Sequence, residues 1–258
     1  MSDPSPLTRF SDRVADYVRY RPSYPTALMQ FLAQKTGLGA TSAVADIGSG
    51  TGIFTSLLLD RGAKVWAVEP NADMRTAAET QLSGRDRFCS QNGTAEATGL
   101  PDQSVSHITC AQAFHWFDPV TAGREFRRIL IPSGWCALIW NTTVREASEF
   151  GAGYDRIRSD FGTDFKEINH ENQPKERFDT VFGSPQWERH SFPNFQTFDY
   201  AGWKGRLLSS SYAPKVGQPG HAPMLAALAE LFARCQRDGQ VRMDYKTELF
   251  LGQLTRPS

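Results

Sequence analysis

One acid, three alternating glycines and a second acid one strand later are the groups of this chain best placed to do chemistry. They are Asp46, Gly48, Gly50 and Gly52 in the run Val44-Ala-Asp-Ile-Gly-Ser-Gly-Thr-Gly-Ile-Phe54, followed by Glu69. Glycines at every second position let a backbone turn sharply and come close to a ligand. An acid closing the next strand sits where it can accept hydrogen bonds from the two hydroxyls of a ribose; its plainer reading is a solvated acid at a strand end. A dinucleotide site would show G-x-G-x-x-G and a helix end free to meet a pyrophosphate. Here an acid precedes the glycines, which suits a cationic amino-acid group and repels a pyrophosphate. The pattern therefore points to a nucleoside cofactor of the S-adenosylmethionine kind rather than NAD.

Those residues need a frame. Ala43 to Ile47 is apolar except for Asp46 and reads as a buried parallel strand. Ile53 to Leu59 continues as a helix that stops near Arg61-Gly62, and Ala63 to Val68 is a second buried strand ended by Glu69-Pro70. Upstream, Asp12 to Tyr20 reads as a short helix, broken by Arg21-Pro22-Ser23-Tyr24-Pro25 before a helix from Thr26 to Thr36. Strand and helix then alternate through His107 to Ala113 and on to Trp135 to Trp140, the fifth parallel strand. Such alternation argues for a doubly wound α/β sheet with ligands beyond the carboxyl ends of its strands. After Asn141 the pattern loosens. Glu146 to Phe161 and Pro223 to Arg237 have helical character, Asn169 to Pro185 is ambiguous, and Trp187 to Phe198 and Val241 to Leu254 read as strands.

The stretch from Thr41 to Asn141 resembles the class I S-adenosylmethionine-dependent methyltransferases, of the methyltransferase type 11-like kind. Asp46 to Gly52 matches the first motif of that family, and Val68-Glu69-Pro70-Asn71 its ribose-binding acid. The resemblance places Met74 against adenine. In Asn92-Gly-Thr-Ala-Glu-Ala-Thr-Gly-Leu-Pro101, Thr94 stands where the family often has an acid for the adenine amino group, so Thr94 and the backbone of Ala95 take that contact, with Glu96 beside them. Ser49 and Gln112 complete the implied cofactor set. A narrower resemblance, to the trans-aconitate methyltransferase-like subgroup, rests on three segments: Ala111-Gln-Ala-Phe-His-Trp-Phe-Asp118, Tyr17-Val-Arg-Tyr-Arg-Pro-Ser-Tyr-Pro25 and Leu208-Ser-Ser-Ser-Tyr-Ala-Pro214. Together these imply a Rossmann-like doubly wound sheet of about seven strands, the last antiparallel, with a helical cap formed by C-terminal insertions. The whole chain would be one domain: a cofactor core over 36–141, lid helices over 1–35, and the cap with closing strands over 142–258.

Methyl transfer from a sulfonium needs positioning and desolvation, and a general base only where the nucleophile carries a proton. His115 is the candidate base, in the aromatic setting Phe114-His-Trp116-Phe117; the plainer reading is a pocket-lining or structural group. Tyr17, Tyr20, Arg21 and Tyr24 could fold over the site, with the aromatics facing the sulfonium and Arg21 pairing with a carboxylate. Equally, they could form a helix packed on the sheet edge. Ser209, Ser210, Ser211 and Tyr212 could orient a polar substrate or form an ordinary turn. With His115, the expected pocket is Tyr20, Tyr24, Trp116, Ser211 and Tyr212.

Composition narrows the partners. Lys plus Arg equals Asp plus Glu at 28 each across 258 residues, which gives no basic surface for nucleic acid. Cys89, Cys110, Cys136 and Cys235 lack C-x-x-C spacing, so they read as packed free thiols, and no metal site is expected. The first residues, Met-Ser-Asp-Pro-Ser-Pro, lack the charge and apolar run of a signal peptide, and no run approaches the roughly 20 apolar residues of a membrane span. The expectation is a cytoplasmic monomer or homodimer that methylates a small-molecule acceptor, a carboxylate oxygen being one candidate atom. Gln112-Ala-Phe-His115 lacks the Asn-Pro-Pro-Tyr character of amino-group methylation on adenine or glutamine. A macromolecule methyltransferase of the same fold, and a cofactor-binding module without catalysis, are the alternatives.

Overall fold

The computed structural model describes residues 19–162, 174–184, 186–210 and 212–255. Its centre is a seven-stranded sheet in the order β3-β2-β1-β4-β5-β7-β6. The strands are β1 (Ala43–Ile47), β2 (Lys64–Val68), β3 (Phe88–Gln91), β4 (Val105–Ala111), β5 (Leu130–Thr143), β6 (Glu188–Phe198) and β7 (Val241–Gly252). β1 to β5 pair in parallel, and β7 runs antiparallel to both β5 and β6. This is the doubly wound sheet with an antiparallel last strand that the sequence implies.

Local chemistry sets the helix ends. α1 (Thr26–Thr36) follows Pro25, whose extended backbone starts the turn, and stops at Gly37 in the left-handed region. α2 (Ile53–Asp60) starts at Gly52 and buries Phe54, Leu58 and Leu59. α3 (Ala72–Gln81) is capped by Asn71, whose side-chain oxygen accepts from Met74 N at 3.0 Å. α4 (Pro119–Ile129) has Asp118 as cap and proline in its first turn. Ser148 caps α5 (Glu149–Phe161), and α6 (Lys175–Phe182) runs from Pro174 to Gly183. Asp199 caps α7 (Tyr200–Leu208), and α8 (His221–Cys235) leads into β7.

Alternate residues of the parallel strands feed two cores. On one face Leu28 and Leu32 of α1 and Phe54 and Leu58 of α2 pack on Val44, Val65 and Ile139. On the other, Phe126 and Ile129 of α4 and Phe178 and Phe182 of α6 pack on Ala45, Ile47, Ile108 and Trp140. A third cluster joins α5, α7 and α8 to the first residues of β7 around Trp203, which is fully buried. Cys110 and Cys136 are buried free thiols, and burial pushes the Cys136 thiol up to about 12.

Three segments differ from the sequence expectation. β4 ends at Ala111 rather than Ala113, because Gln112 takes φ 59° and breaks the extended run before a 3-10 turn over Phe114–Trp116. β5 is far longer than Trp135–Trp140, since it starts directly from α4 and carries a register irregularity opposite Val105 to His107. The ambiguous stretch before Pro185 contains α6, a helix of eight residues held by the burial of Phe178, Val181 and Phe182. The short helix expected from Asp12 falls mostly outside the described residues. Among the described residues no helix is long and apolar enough to cross a membrane.

Candidate cofactor and acceptor site

The carboxyl ends of β1, β2 and β4 converge on the glycine turn. Gly48 N and Ser49 N both donate to Val68 O, at 2.9 and 3.2 Å, which fixes the turn after β1 to the end of β2. Gly48 has φ 68°, and a Cβ there would lie 2.5 Å from Ala113 Cβ. Gly50 has φ 57°, but a Cβ on it would meet nothing within 4 Å, so the space above it is open to a ligand. Ser49 Oγ and Thr51 Oγ1 are closed to solvent and have no hydrogen-bond partner among the described residues. Open space over a positive-φ glycine, flanked by two orphaned hydroxyls, fits a bound polar cofactor.

Glu69 sits beside this turn. Its Oε2 accepts from Gly50 N and its Oε1 from Asn71 N, each at 2.9 Å, and the residue is 8% exposed. A carboxylate accepts about four hydrogen bonds, so lone pairs remain for a diol. Burial raises the Glu69 carboxyl above its usual value, against the opposing pull of those two N–H groups and of Arg75. Arg75 also donates to Glu69 O at 2.8 Å and so braces the loop.

Asp46 lies one layer lower. Thr55 Oγ1 donates to its Oδ2 at 2.6 Å and Thr109 Oγ1 to its Oδ1 at 2.7 Å, with the residue 1% exposed. Both oxygens are thus engaged by protein hydroxyls, and the structure does not bring Asp46 to the open side of the turn. Burial pushes its carboxyl up to about 6, the two hydroxyl bonds notwithstanding. Thr55 and Thr109, which hold Asp46, were not singled out from the sequence, because a threonine in a helix or strand carries no local mark of its partner.

The remaining expected cofactor residues ring the turn. Met74 is buried on α3. Pro70 O takes a long bond from Arg75 at 3.4 Å. Thr94 Oγ1 accepts from Ala97 N at 3.2 Å in a tight turn, with Ala95 buried beside it. Glu96 accepts from Asp118 N at 3.2 Å and so tethers that turn to the start of α4. Gln112 donates from Nε2 to Asn141 O at 3.3 Å, across the ends of β4 and β5.

Of the residues expected to line an acceptor pocket, Tyr20, Tyr24, His115 and Trp116 fall in the segment at 19–25 and the 3-10 turn after β4. Tyr24 packs edge-on against Phe54, with centroids 4.9 Å apart, just behind the glycine turn. Tyr20 packs edge-on to Phe198 and lies over Gly205, where a Cβ would fall 2.1 Å from its ring. Ser23 O accepts from Asn194 Nδ2 at 2.8 Å and Asn141 Nδ2 at 3.2 Å, and Arg21 donates to Ser209 O at 2.9 Å. The segment is therefore a strap from α2 to α7. Trp140 Nε1 donates to His115 Nδ1 at 3.4 Å, and Trp116 packs on the other side of that imidazole. Tyr212 is half-buried near Arg158 and Arg206. Tyr17 and Ser211 lie outside the described residues.

With this geometry in view, residues 45–138 match the family described as a methyltransferase domain. An uncharacterized methyltransferase of Mycobacterium tuberculosis is 38% identical over 156 residues, which is 58% of this chain and 61% of that one. The chain thus spans about three fifths of the length of the mycobacterial relatives it matches. An uncharacterized methyltransferase-like protein of Schizosaccharomyces pombe is 28% identical over 97% of both chains. Among solved structures, a type II methyltransferase candidate of Anaeromyxobacter dehalogenans shares the fold, with TM-score 0.65, 22% identity, and 91% and 98% of the two chains covered. A geranyl diphosphate C-methyltransferase from Streptomyces coelicolor A3(2), TM-score 0.50 and 16% identity over 98% of this chain and 86% of that one, was solved with S-adenosyl-L-homocysteine.

Proposed function

We propose that the protein is an S-adenosylmethionine-dependent methyltransferase whose acceptor is a small molecule. The observation that carries this reading is the pairing of Glu69 with Gly50 beside the open space over that glycine. Glu69 would hold the ribose hydroxyls, Ser49 and Thr51 hydroxyls would meet polar groups of the amino-acid arm, and Met74 with the turn at Thr94–Ala97 would bound the adenine. When bound, the cofactor supplies a sulfonium methyl group and a neutral leaving group, so little other chemical activation is needed.

The chain's own task is then to orient the acceptor and exclude water. The strap and the layer of α5, α7 and α8 serve as the cap over the carboxyl edge. An indole N–H only donates, so His115 Nδ1 accepts from Trp140 and the neutral ring keeps its proton on Nε2. In this tautomer the donor of the ring is Nε2–H. Service as a general base at Nε2 requires the bond to Trp140 to be given up. An ionised carboxylate acceptor needs no base.

Calorimetric titration with S-adenosylhomocysteine, run beside NAD, tests the reading. Micromolar binding of the homocysteine cofactor alone is expected. A folded protein that binds neither, or NAD instead, would refute it.

A further inference from the structure

Within the layer of α5, α7 and α8 lies a buried cationic cluster that the cofactor site does not use. Arg206, in the last turn of α7, is 6% exposed. Its Nε and Nη1 are closed to solvent and find no hydrogen-bond partner, and the residue makes no ion pair, among the described residues. Tyr154 of α5 is 1% exposed, and its hydroxyl is likewise buried without a hydrogen-bond partner among the described residues. Around them stand Arg158, whose guanidinium lies over the Tyr154 ring at 5.4 Å, and the phenols of Tyr212 and Tyr245. The carboxylate of Asp155 pairs with Arg158, whose charge it offsets, and with Arg145 at 3.0 Å; no ion pair joins it to Arg206 among the described residues.

A guanidinium cannot shed its proton, so burying one without an anion opposes folding. The carbonyl end of α7 offsets only a small part of that cost. Two orphaned donor groups from different helices, beside a second arginine, are the arrangement expected of a pocket that waits for oxygens from outside the chain. Its place fits that purpose. Tyr245 pairs with Thr143 at the end of β5, on the same edge of the sheet as Gln112 and the glycine turn. The strap runs between the two, through Ser23 on Asn141 and Arg21 on Ser209.

We propose that Arg206 and Tyr154, with Arg158 and Tyr212 beside them, form an oxyanion subsite that anchors an acceptor bearing a carboxylate or phosphate group. The proposal rests on the methyltransferase reading for its second ligand. Tyr212 responds to the same field: burial works to raise its phenol, and Arg158 and Arg206 hold it below its usual value nonetheless. That response marks a surplus of positive charge at the place where the anion would sit.

The test compares the wild-type chain with Arg206→Met and Tyr154→Phe, each loaded with S-adenosylhomocysteine. Thermal unfolding and calorimetry are read in succinate, in inorganic phosphate, and in chloride at matched ionic strength. A rise in wild-type midpoint with succinate alone assigns a carboxylate, and with phosphate alone a phosphate; both support the subsite. Arg206→Met should weaken the responding anion roughly tenfold or more, and Tyr154→Phe about threefold to tenfold. Arg206→Met should also unfold at a higher temperature than the wild type in chloride, because it no longer buries an unpaired cation. No response to either anion, an equal response in Arg206→Met, or a lower midpoint for that variant in chloride would overturn the proposal. Binding of S-adenosylhomocysteine on the same samples separates the two failures: its absence sinks the function, and its presence without an anion response sinks the subsite alone.

Discussion

Glu69 and Gly50 are joined side chain to backbone at 2.9 Å, so the acid that ends β2 holds the glycine turn that ends β1. The second oxygen of the same carboxylate holds Asn71 N, the cap residue of α3. One side chain thereby adds to the bonds of Gly48 N and Ser49 N to Val68 O in tying the glycine turn to the loop after β2. The site is rigid at the point where a ribose would dock, and a bound diol would add to a carboxylate already oriented by two N–H donors.

Glu69→Ala therefore removes two functions together. Affinity for S-adenosylhomocysteine should fall by about 1–3 kcal/mol, from lost hydrogen bonds to a charged group. Glu69→Gln is not a mild change either. Whichever way its amide points, an NH2 group faces Gly50 N or Asn71 N, donor against donor. Calorimetry on both variants checks this, and full affinity in Glu69→Gln would mean that the carboxylate is not the ribose partner.

Asp46 makes a pH prediction with a definite sign. Its carboxyl is raised from 3.8 to about 6 in the folded chain. The native state therefore binds that proton more tightly than the unfolded state does. Stability contributed by the protonated form is present below about pH 4 and is lost as pH rises through about 6, a change of about 3 kcal/mol. Asp46→Asn removes this dependence, so its stability relative to the wild type should climb across that window. Urea unfolding at several pH values measures the difference, and a flat difference would mean that Asp46 is solvated.

Gly48 and Gly50 both have positive φ, yet they predict different losses. Gly50→Ala meets no neighbour, so its stability cost is backbone strain alone, about 1 kcal/mol, while the new methyl occupies the space left for the cofactor. Gly48→Ala adds a collision with Ala113 Cβ at 2.5 Å and should cost about 2–4 kcal/mol. Denaturation paired with cofactor titration should thus show Gly50→Ala folded but weak in binding, and Gly48→Ala weak in folding. Equal stability of the two would contradict the close approach of β1 and β4 loops.

How much of this was legible in the sequence follows from how local each signal is. The turn from Asp46 to Gly52 and the acid at Glu69 could be read because strand, turn, helix and strand follow one another in a short run. The hydroxyls that hold Asp46 could not, since Thr109 is 63 positions away and nothing about a lone threonine in a strand announces its partner. Gln112 carries a left-handed backbone without the glycine that would signal it, which is why β4 was read two residues too long. Arg206 and Tyr154 come from separate helices, and only packing of α5 against α7 and α8 brings their orphaned donors into one cluster. Strap residues were legible as an aromatic group, whereas the two asparagines that hold them were not.

His115 separates binding from turnover. Trp140 and Trp116, which it touches, belong to neither Glu69's hydrogen bonds nor the glycine turn. His115→Ala should leave S-adenosylhomocysteine affinity within about 0.5 kcal/mol of wild type and lower kcat on whatever acceptor the screen identifies. Full turnover in that variant would return the residue to a packing role.

Asn194 gives the most direct handle on the strap. Its side-chain amide donates to Ser23 O at 2.8 Å and to Asn141 Oδ1 at 3.1 Å, from the exposed edge strand β6. Asn194→Ala deletes both bonds, and the one its Oδ1 accepts from Phe195 N at 2.9 Å, without opening the core, so global stability should drop by no more than about 1 kcal/mol. The strap itself loses one of the two donors that hold Ser23, and its local opening becomes more frequent. Trypsin cleavage after Arg19 should accelerate in the variant relative to cleavage elsewhere, and bound S-adenosylhomocysteine should slow it if the strap closes over the cofactor. Unchanged cleavage in both states would mean that the strap is held by the packing of Tyr20 and Tyr24 alone, and that the asparagine pair merely satisfies a buried carbonyl.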